Sequence, residues 1–261
     1  MGEWSLSPFD DSKHSLKLSE DGSYTAYSKE YDEHYHSTKD GALSESLYKH
    51  IIPAYHLTQD KETLHILDIC YGLGFNTLAT ILYYKEYAPQ KKLFIYSPEL
   101  DASLVQSLQS FNYPKEFEAL RELITTLSRE QKYEAEGFAV ELFLGDAREY
   151  VKKFTKHFDI VYQDAFSPSA NPALWTKEYF RDIKNAMRED GVLTTYSTAL
   201  KTRLALYENG FDVYLNRGDK FRNATVASRK PLEGYEKVDM EHKMSCNPNV
   251  QPLSDVDLGV D

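Results

Sequence analysis

The sequence predicts an α/β fold built on a mostly parallel sheet of seven strands, and three observations carry this prediction. Short apolar strand candidates alternate with helical segments, an order typical of a parallel sheet covered by helices on both faces. The first candidate ends at a turn that contains Gly72 and Gly74, and a helix-like segment follows it. The length of 261 residues suits one such domain with a small extension.

The strand candidates are separated in most cases by enough residues to form a helix. They are Leu64–Cys70, Lys92–Ser97, Ala139–Leu144, Phe158–Gln163, Val192–Tyr196, Asp212–Leu215 and Ala224–Ser228. Few residues separate the last two candidates, which therefore predict an antiparallel hairpin at the edge of the sheet. After the second strand, residues 102–136 predict a long and mostly helical insertion.

The segments on either side of the sheet have a different pattern. Residues 22–37 alternate aromatic and polar side chains, which predicts a β-hairpin or meander, and Gly41–Ala54 predicts a helix closed by Pro53. We therefore divide the chain into an N-terminal β-hairpin and helix extension (1–60), a central domain (61–230) and a polar C-terminal tail (231–261). The tail is acidic, and we expect it to pack loosely or to fray.

The composition argues against several classes of protein. No apolar run is long enough to span a bilayer, and the N-terminus lacks the apolar core of a signal peptide. Cys70 and Cys246 are the only cysteines, so a disulfide framework is excluded and a reducing, cytoplasmic location is expected. We expect no metal site, because no Cys or His pair has the spacing of zinc ligands. We expect a monomer or a weak oligomer.

The charge of the chain leaves two interpretations open. A net charge of −11 argues mildly against a nucleic-acid partner. Basic residues nevertheless concentrate within 30 positions of the sequence, namely Lys201, Arg203, Arg217, Lys220, Arg222, Arg229 and Lys230. They predict either a basic patch on an acidic body or an ordinary solvated face.

The turn after the first strand distinguishes between nucleotide-like cofactors. A dinucleotide-binding turn has a third glycine, and this chain has none at that position. Asp68, four residues before Gly72, suits the ammonium group of an amino acid better than a pyrophosphate. S-adenosylmethionine carries such a group. The spacing of Asp68, Gly72 and Gly74 resembles the first motif of class I methyltransferases, in which Tyr71 and Asn76 would also border the cofactor.

Two further acids follow the second and third strands. Glu99 could hold the two ribose hydroxyls of that cofactor, and Asp146 could accept the adenine amino group, with the N–H of Ala147 facing the ring. A single acid after a strand is more often a helix N-cap, and Asp146 fits that alternative. Acids at three successive strand ends favour the cofactor interpretation.

The loop after the fourth strand is rich in proline and aromatic residues. It runs from Asp164 through Phe166 to Trp175 and lies beside the predicted cofactor site. Methyl transfer to nitrogen needs a free lone pair, and the carboxylate of Asp164 could orient an amine or accept its proton. The alternative is that Phe166 and Trp175 belong to the core and that Asp164 caps a turn.

This loop also carries a family resemblance. Residues 164–175 resemble the signature loop of the methyltransferase half of MnmC, the tRNA 5-methylaminomethyl-uridine biosynthesis enzyme. The glycine turn at 71–76, the Ser-x-Glu of 97–99 and the Gly-Asp of 145–146 follow the pattern of the same family in the same order. Residues 21–45 are similar to its N-terminal element, and the likeness continues to about residue 230.

The resemblance implies a specific activity. The fold would be that of class I (Rossmann-like) S-adenosylmethionine-dependent methyltransferases, with residues 61–230 as the methyltransferase domain. The substrate would be the 5-aminomethyl group of the wobble uridine in tRNA, and the partner the anticodon region of tRNA. Asp164 and Phe166 would be catalytic, and the cofactor would contact Asp68, Tyr71, Gly72, Gly74, Asn76, Glu99, Asp146, Ala147 and Asp164. The substrate would contact Tyr35, Glu45, Pro168, Asn171, Trp175, Lys201, Arg203, Lys220 and Arg222.

The chain departs from the family pattern at four points. Cys70 replaces the first glycine of the turn, and the 164–175 loop lacks the usual lysine. The basic run expected near residue 220 is reduced to Lys220 and Arg222. The flavin-binding oxidase half is missing, which is expected of a stand-alone form that depends on another enzyme for its substrate.

Three alternative functions stay open at this stage. An aminopropyltransferase or a small-molecule amine methyltransferase would share the sheet and the acid after the fourth strand, but the 165–175 loop lacks a second carboxylate. A non-catalytic tRNA-binding module is suggested by Cys70. An NAD dehydrogenase is disfavoured by the missing third glycine.

Overall fold

The computed structural model describes residues 9, 12–219 and 221–259. Within these residues, three short strands form an antiparallel sheet in the order β1-β2-β3. They are β1 (His14–Leu18), β2 (Tyr24–Ser28) and β3 (Glu33–His34). This sheet confirms the predicted meander, although it begins before residue 22.

A second sheet of nine strands, counted over the described residues, forms the centre of the molecule. Its members are β4 (Thr63–Ile69), β5 (Lys92–Glu99), β6 (Lys132–Ala135), β7 (Phe138–Leu144), β8 (Phe158–Gln163), β9 (Met187–Thr195), β10 (Asp212–Gly218), β11 (Phe221–Ser228) and β12 (Glu236–Lys237). Their spatial order is β12-β10-β11-β9-β8-β4-β5-β7-β6. The five central strands, from β9 to β7, are parallel, and the remaining pairs are antiparallel.

The seven predicted strands are all present, and the sheet gains β6 and β12 as short edge strands. The predicted hairpin is confirmed as β10 and β11, but β12 pairs with β10 and so the hairpin is not the outermost element. β6 falls within the insertion at 102–136, which was expected to be mostly helical. It is a strand because it pairs with β7 through the tight turn at Gly137.

Helices cover both faces of the large sheet. They are α1 (Ala42–Glu45), α2 (Ile52–Leu57), α3 (Phe75–Tyr87), α4 (Ala102–Ser107), α5 (Arg121–Glu130), α6 (Ala147–Val151), α7 (Lys177–Ala186), α8 (Leu200–Glu208), α9 (Met240–Cys246) and α10 (Asp255–Leu258). β4 shows why there are two layers: Leu64 and Ile66 face one buried cluster, and Leu67 and Ile69 face the other. This alternation is the period of a strand buried on both sides.

The prediction that Pro53 closes the first helix is wrong. A π-helical segment, Ser46–Ile51, joins α1 to α2, and helical structure continues to Leu57. Pro53 lies in the first turn of α2. A proline ring clashes with the carbonyl group four residues before it in a regular α-helix, and the wider π turn provides room for that ring.

The expectation of a loosely packed C-terminal tail is also wrong. Val238 and Met240 are buried in the core. Asp255 forms an ion pair with Arg148, and the N–H of Lys177 donates to the carbonyl of Leu253 at 2.8 Å. The polar composition of the 231–261 segment did not indicate these few apolar and charged contacts with the rest of the protein. Within the described residues, no helix has the length and apolar character needed to cross a membrane.

Candidate active site

A cavity of about 1060 Å³ lies at the carboxyl ends of the parallel strands. Residues that follow β4, β5, β7 and β8 form its floor, because parallel strands bring their carboxyl ends to one edge of a sheet. The N-terminal segment forms the opposite wall, with Tyr31, Glu33 and Tyr35. The volume is at the upper end of the range for ligand pockets, about 300–1,000 Å³, and suits a nucleoside cofactor with part of a second substrate.

The glycine turn places backbone rather than side chains at the cavity wall. Gly72 has a φ of 54° and Gly74 a φ of 78°, both in the left-handed region that favours glycine. A Cβ on Gly72 would lie 3.1 Å from the ring of Tyr35, so the absence of a side chain allows that ring to pack against the turn. A Cβ on Gly74 would lie 2.7 Å from the ring of Tyr71. Gly74 therefore makes room for Tyr71 and does not itself border the cavity.

Cys70 adopts the left-handed backbone conformation that the turn demands, with a φ of 66°. This conformation costs a residue with a Cβ about 1–2 kcal/mol relative to glycine. The thiol borders the cavity. Burial and the nearby carboxylates, those of Glu99 and Asp164 foremost, raise the pKa of the Cys70 thiol well above its usual range. The thiol is therefore neutral at physiological pH and a poor nucleophile.

Glu99, at the end of β5, presents its carboxylate to the cavity. Oε2 accepts the N–H of Gly72 at 2.8 Å, and Oε1 accepts the N–H of Asp101 at 2.9 Å. Burial raises the pKa of Glu99 above its ordinary value, although these two N–H groups oppose the change. Each carboxylate oxygen can accept more than one hydrogen bond, so the two oxygens remain able to accept a pair of hydroxyl groups.

Asp146 both borders the cavity and caps a helix. Its Oδ1 accepts the N–H of Arg148 at 2.7 Å, which confirms the N-cap alternative for this residue. The residue is exposed, and Ala147 borders the same part of the cavity. The cap uses one oxygen of the carboxylate, so the geometry is compatible with a ligand at the other.

Asp68 does not reach the cavity. It is fully buried, with Oδ2 accepting from the hydroxyl of Thr77 at 2.7 Å and Oδ1 from the amide of Asn76 at 3.3 Å. Burial raises the pKa of Asp68 to about 7, and the neighbouring Asp164 adds to this effect while Thr77 opposes it. Asp68 was predicted as a direct cofactor contact. Its connection to the cavity instead runs through Asn76, whose side-chain amide lies between Asp68 and Asp164.

Asp164 forms the floor of the cavity, with only 8% of its side chain exposed. Its Oδ2 accepts from the amide of Asn76 at 2.8 Å, and Nε2 of His50 lies 3.5 Å from its Oδ1. Burial alone would raise the pKa of Asp164, but His50, His36 and the Asn76 amide outweigh burial and lower it below its ordinary value. The carboxylate is therefore ionised at neutral pH.

The loop after Asp164 divides into a part at the cavity and a part in the core. The ring of Phe166 stacks on Tyr31, with 4.6 Å between centroids, and lies 4.9 Å from Tyr35. Trp175 is fully buried and its Nε1 donates to the carbonyl of Phe166 at 2.7 Å, which confirms the core alternative for Trp175. Asn171 borders the cavity, whereas Pro168 does not.

The predicted basic patch is mostly absent from the residues that the structure describes. Arg222 borders the cavity and contacts Asp40, and Arg203 is buried against Thr225. Arg217 and Lys230 pair with Glu236 and Glu189, so neighbouring carboxylates neutralise these cations. Lys201 is exposed away from the cavity, and Lys220 lies outside the described residues.

Several cavity residues were not predicted from the sequence. They are Tyr31, Glu33, His36, Leu100, Asp101 and Tyr196. His50, beneath the floor, was also missed. They come from three separate parts of the chain, the N-terminal segment, the residues after β5 and the residue after β9, so no local pattern groups them. The alternation of aromatic residues at 22–37 was the one pattern that could have indicated Tyr31.

Comparisons with known proteins identify the family. The family described as "S-adenosyl-L-methionine-dependent methyltransferase" matches residues 112–230. The crystal structure of MNMC2 from Aquifex aeolicus superimposes with a TM-score of 0.79 and 31% sequence identity, covering 97% of this chain and 83% of that one. The chain belongs to this family of methyltransferases. The fold class and the resemblance to the methyltransferase half of MnmC are thereby confirmed.

Curated relatives extend the comparison to longer proteins. The uncharacterized protein MJ0670 of Methanocaldococcus jannaschii is 31% identical over 223 residues, which cover 84% of this chain and 60% of that protein. The bifunctional protein MnmC of Actinobacillus pleuropneumoniae, named for tRNA 5-methylaminomethyl-2-thiouridine biosynthesis, is 26% identical, with 83% of this chain and 35% of that protein covered. The chain thus spans about a third of the MnmC relative.

S-adenosylmethionine is the cofactor of this methyltransferase, as predicted, and the NAD dehydrogenase alternative is excluded. The cavity fits this cofactor in three respects. Glu99 has acceptor capacity left for two hydroxyl groups. Gly72 borders the cavity without a side chain, so a ligand can approach its backbone. The Oδ1 atom of Asn76 has no hydrogen-bond partner among the residues that the structure describes, and it can accept a hydrogen bond from an ammonium group.

Proposed function

We propose that the chain methylates the 5-aminomethyl group of 5-aminomethyl-2-thiouridine at the wobble position of tRNA, giving 5-methylaminomethyl-2-thiouridine. The observation that carries the proposal is the ionised carboxylate of Asp164 on the floor of the cavity, which Phe166 also borders. An anionic oxygen at that point suits an amine substrate. The name of the MnmC relative supports the identity of the nucleoside.

The chemistry of N-methylation assigns a role to Asp164. S-adenosylmethionine, when bound, supplies an electrophilic methyl group on a positively charged sulfur. The amine is an ammonium ion at neutral pH; it loses one proton to bulk water, and the neutral amine then carries the lone pair that reacts. We propose that Asp164 accepts a hydrogen bond from this nitrogen, directs its lone pair and stabilises the cationic product. The amide of Asn76 holds Oδ2 of Asp164 in position.

We propose that the cofactor contacts Tyr71, Gly72, Asn76, Glu99, Asp146, Ala147 and Asp164. All of them border the cavity. Glu99 would bind the ribose hydroxyls, and Asp146 with the N–H of Ala147 would bind the adenine. Asp68 and Gly74 would act indirectly, Asp68 through Asn76 and Gly74 through Tyr71.

On the substrate side, we propose that aromatic rings enclose the modified base. The rings of Tyr31 and Tyr35 both pack against Phe166 at the cavity, and stacking of a base on such rings is sequence-tolerant and strong. Glu45, Asn171 and Arg222 border the same cavity, and Arg222 could contact a phosphate of the anticodon region. In this arrangement the described residues of the 1–60 extension cover the site, those of 61–230 form the methyltransferase domain, and those of 231–261 support that domain.

The proposal is tested by incubating the purified chain with S-adenosylmethionine and tRNA that carries 5-aminomethyl-2-thiouridine. Nucleoside mass spectrometry should show conversion to the methylated nucleoside. The matched control is tRNA that lacks the aminomethyl group. Binding of S-adenosylmethionine without methylation of this tRNA would contradict the proposed substrate.

A second candidate, methyl or aminopropyl transfer to a small cationic amine, is favoured by one observation. The carboxylates at the cavity outnumber the basic side chains there; they are Glu30, Glu33, Glu45, Glu99, Asp101, Asp146 and Asp164, against Lys13, Lys39, Arg148 and Arg222. Glu33 and Glu45 come from the N-terminal segment and supply carboxylates that the 165–175 loop lacks. Turnover of spermidine-like amines, with none on tRNA, would favour this candidate.

A further inference from the structure

A buried imidazole lies directly beneath the carboxylate to which we assign the substrate amine. Nε2 of His50 lies 3.5 Å from Oδ1 of Asp164, while the side chain of His50 has no exposed surface. On the other side of the ring, Nδ1 lies 2.9 Å from the hydroxyl of Thr194. Among the residues that the structure describes, Nε2 has no hydrogen-bond partner, and Oδ1 of Asp164 is the acceptor within reach. A buried nitrogen without a partner costs free energy, which one proton shared with Asp164 would recover.

The local backbone directs His50 to this point. It belongs to the π-helical segment Ser46–Ile51, in which the consecutive residues Lys49 and His50 are both buried. Lys49 forms ion pairs of 2.7 Å with Asp40 and with Glu45. The neighbouring His50 contacts a different carboxylate, that of Asp164. π turns are rare and occur frequently at functional sites.

We propose that His50 is a positioning residue for Asp164, with Nδ1 anchored by Thr194 and Nε2 directing a proton at Oδ1. In this arrangement Asp164 is held between two donors, the amide of Asn76 at Oδ2 and the imidazole of His50 at Oδ1. The carboxylate then presents its remaining lone pairs to the cavity in one orientation. The inference rests on the proposed function, because it assumes that Asp164 meets the amine.

The electrostatic surroundings agree with this arrangement. Asp164 follows β8, Asp68 belongs to β4, and His36 precedes α1; each of them interacts with His50. Burial lowers the pKa of His36, although Asp164 and Glu45 oppose the change. The edge of the Tyr162 ring completes the enclosure, with its centroid 5.6 Å from that of the imidazole.

The first measurement needs neither a variant nor a substrate. In the ¹⁵N NMR spectrum of the histidine side chains, His50 should carry a proton at Nε2; a His50 ring protonated at Nδ1 alone would overturn the inference. A second measurement follows the ¹³C carboxyl signal of Asp164 with pH, assigned by its loss in Asp164→Asn. His50→Phe should raise the midpoint of this titration, because burial of the carboxyl group is then less opposed. An unchanged midpoint in folded His50→Phe would also overturn the inference.

Variants separate positioning from a purely structural role. His50→Gln keeps an N–H near Asp164 and should retain kcat within about threefold, whereas His50→Phe should lose about tenfold or more and add an acidic limb to the pH profile. His65→Gln, on β4, is the matched control and should change neither kcat nor the pH profile. Equal losses in His50→Gln and His50→Phe, without a change in the pH profile, would contradict the positioning role. Absent turnover of wild-type protein on the proposed tRNA would contradict the proposed substrate, while the NMR titrations would still decide the role of His50.

Discussion

The side-chain amide of Asn76 donates to Oδ2 of Asp164 at 2.8 Å. The same Nδ2 atom lies 3.3 Å from Oδ1 of the fully buried Asp68. One amide group, at the start of α3, thus links the acid that ends the first parallel strand to the acid that follows β8. The site is consequently a connected network, and changes in its members should affect cofactor binding, catalysis and stability differently.

Asp164→Asn should lower turnover far more than it lowers cofactor affinity, because the other proposed cofactor contacts remain. Loss of the anionic oxygen should lower kcat on aminomethyl-uridine tRNA by about 100-fold or more, the usual effect of removing a group that stabilises charge in the transition state. Calorimetry with S-adenosylhomocysteine should give a Kd close to that of the wild type. Asp190→Asn, an exposed acid paired with Lys61, is the control. Unchanged kcat in Asp164→Asn would refute the proposed role.

Glu99→Gln should weaken cofactor binding more than it affects a saturated reaction. The substitution removes an anionic acceptor from hydroxyl groups, a loss of about 1.5–3 kcal/mol, or roughly 10- to 150-fold in Kd. The measurement is calorimetry with S-adenosylmethionine. Glu141→Gln, on β7 and paired with Lys132, is the matched control. If both variants bind with wild-type affinity, Glu99 does not hold the ribose.

Asp68 should make the free protein less stable as the pH rises from about 4 to about 7. Its pKa rises from the ordinary 3.8 to about 7 because the carboxyl group is buried, so the folded protein retains a proton that the unfolded chain releases. The stabilising effect of that proton is complete below pH 4 and is lost as the pH approaches 7, by at most about 4 kcal/mol.

Urea unfolding at several pH values tests this assignment. Asp68→Asn should flatten the decline in the free energy of unfolding between pH 5 and pH 7, whereas wild-type protein should retain it. Asp190→Asn again serves as the control, because that residue is exposed and its pKa is lowered by Lys61. A profile for Asp68→Asn that parallels the wild type would contradict the assignment.

Cys70→Gly should be more stable than Cys70→Ala by about 1 kcal/mol. Both substitutions remove the sulfur, but only glycine adopts a φ of 66° without a steric cost. The difference is the 1–2 kcal/mol cost of a Cβ in this conformation, reduced by about 0.5–1 kcal/mol for the greater chain entropy of glycine in the unfolded state. Thermal unfolding of the two variants measures it directly. A more stable alanine variant would show that the turn tolerates a Cβ.

The seven strands and the acids that follow them could be predicted because both are local patterns. A buried strand needs only a short apolar run, and an acid after it needs only adjacency. Glu99, Asp146 and Asp164 therefore lie at the cavity as expected. Asp68 has the same kind of local signal, but its side chain points away from the cavity. The direction of a side chain near the end of a strand depends on the elements that pack against that strand. In this case Thr77 and Asn76 of α3 bind the carboxylate.

Patterns of composition were less informative than patterns of position. The basic cluster looked continuous along the chain, but the fold distributes it among ion pairs and a buried site at Arg203. The C-terminal tail looked solvated, but Val238, Met240 and Asp255 anchor it. The composition of a segment averages the polarity of all its residues, whereas its packing depends on the few residues that contact other elements.

The sequence alone indicated the sheet, the cofactor and the acid that follows β8 at the cavity, because each depends on residues that are close together in the chain. Tertiary structure alone decided which side chains face the cavity and which support it from behind. His50 and Asp164 are 114 positions apart, and Asn76 lies between two acids from different strands. Such contacts arise only when a π turn, a helix and the strand ends are packed together. The turn at Cys70 illustrates both kinds of information. Its glycine spacing is visible in the local sequence, whereas the left-handed backbone of Cys70 follows from the fold.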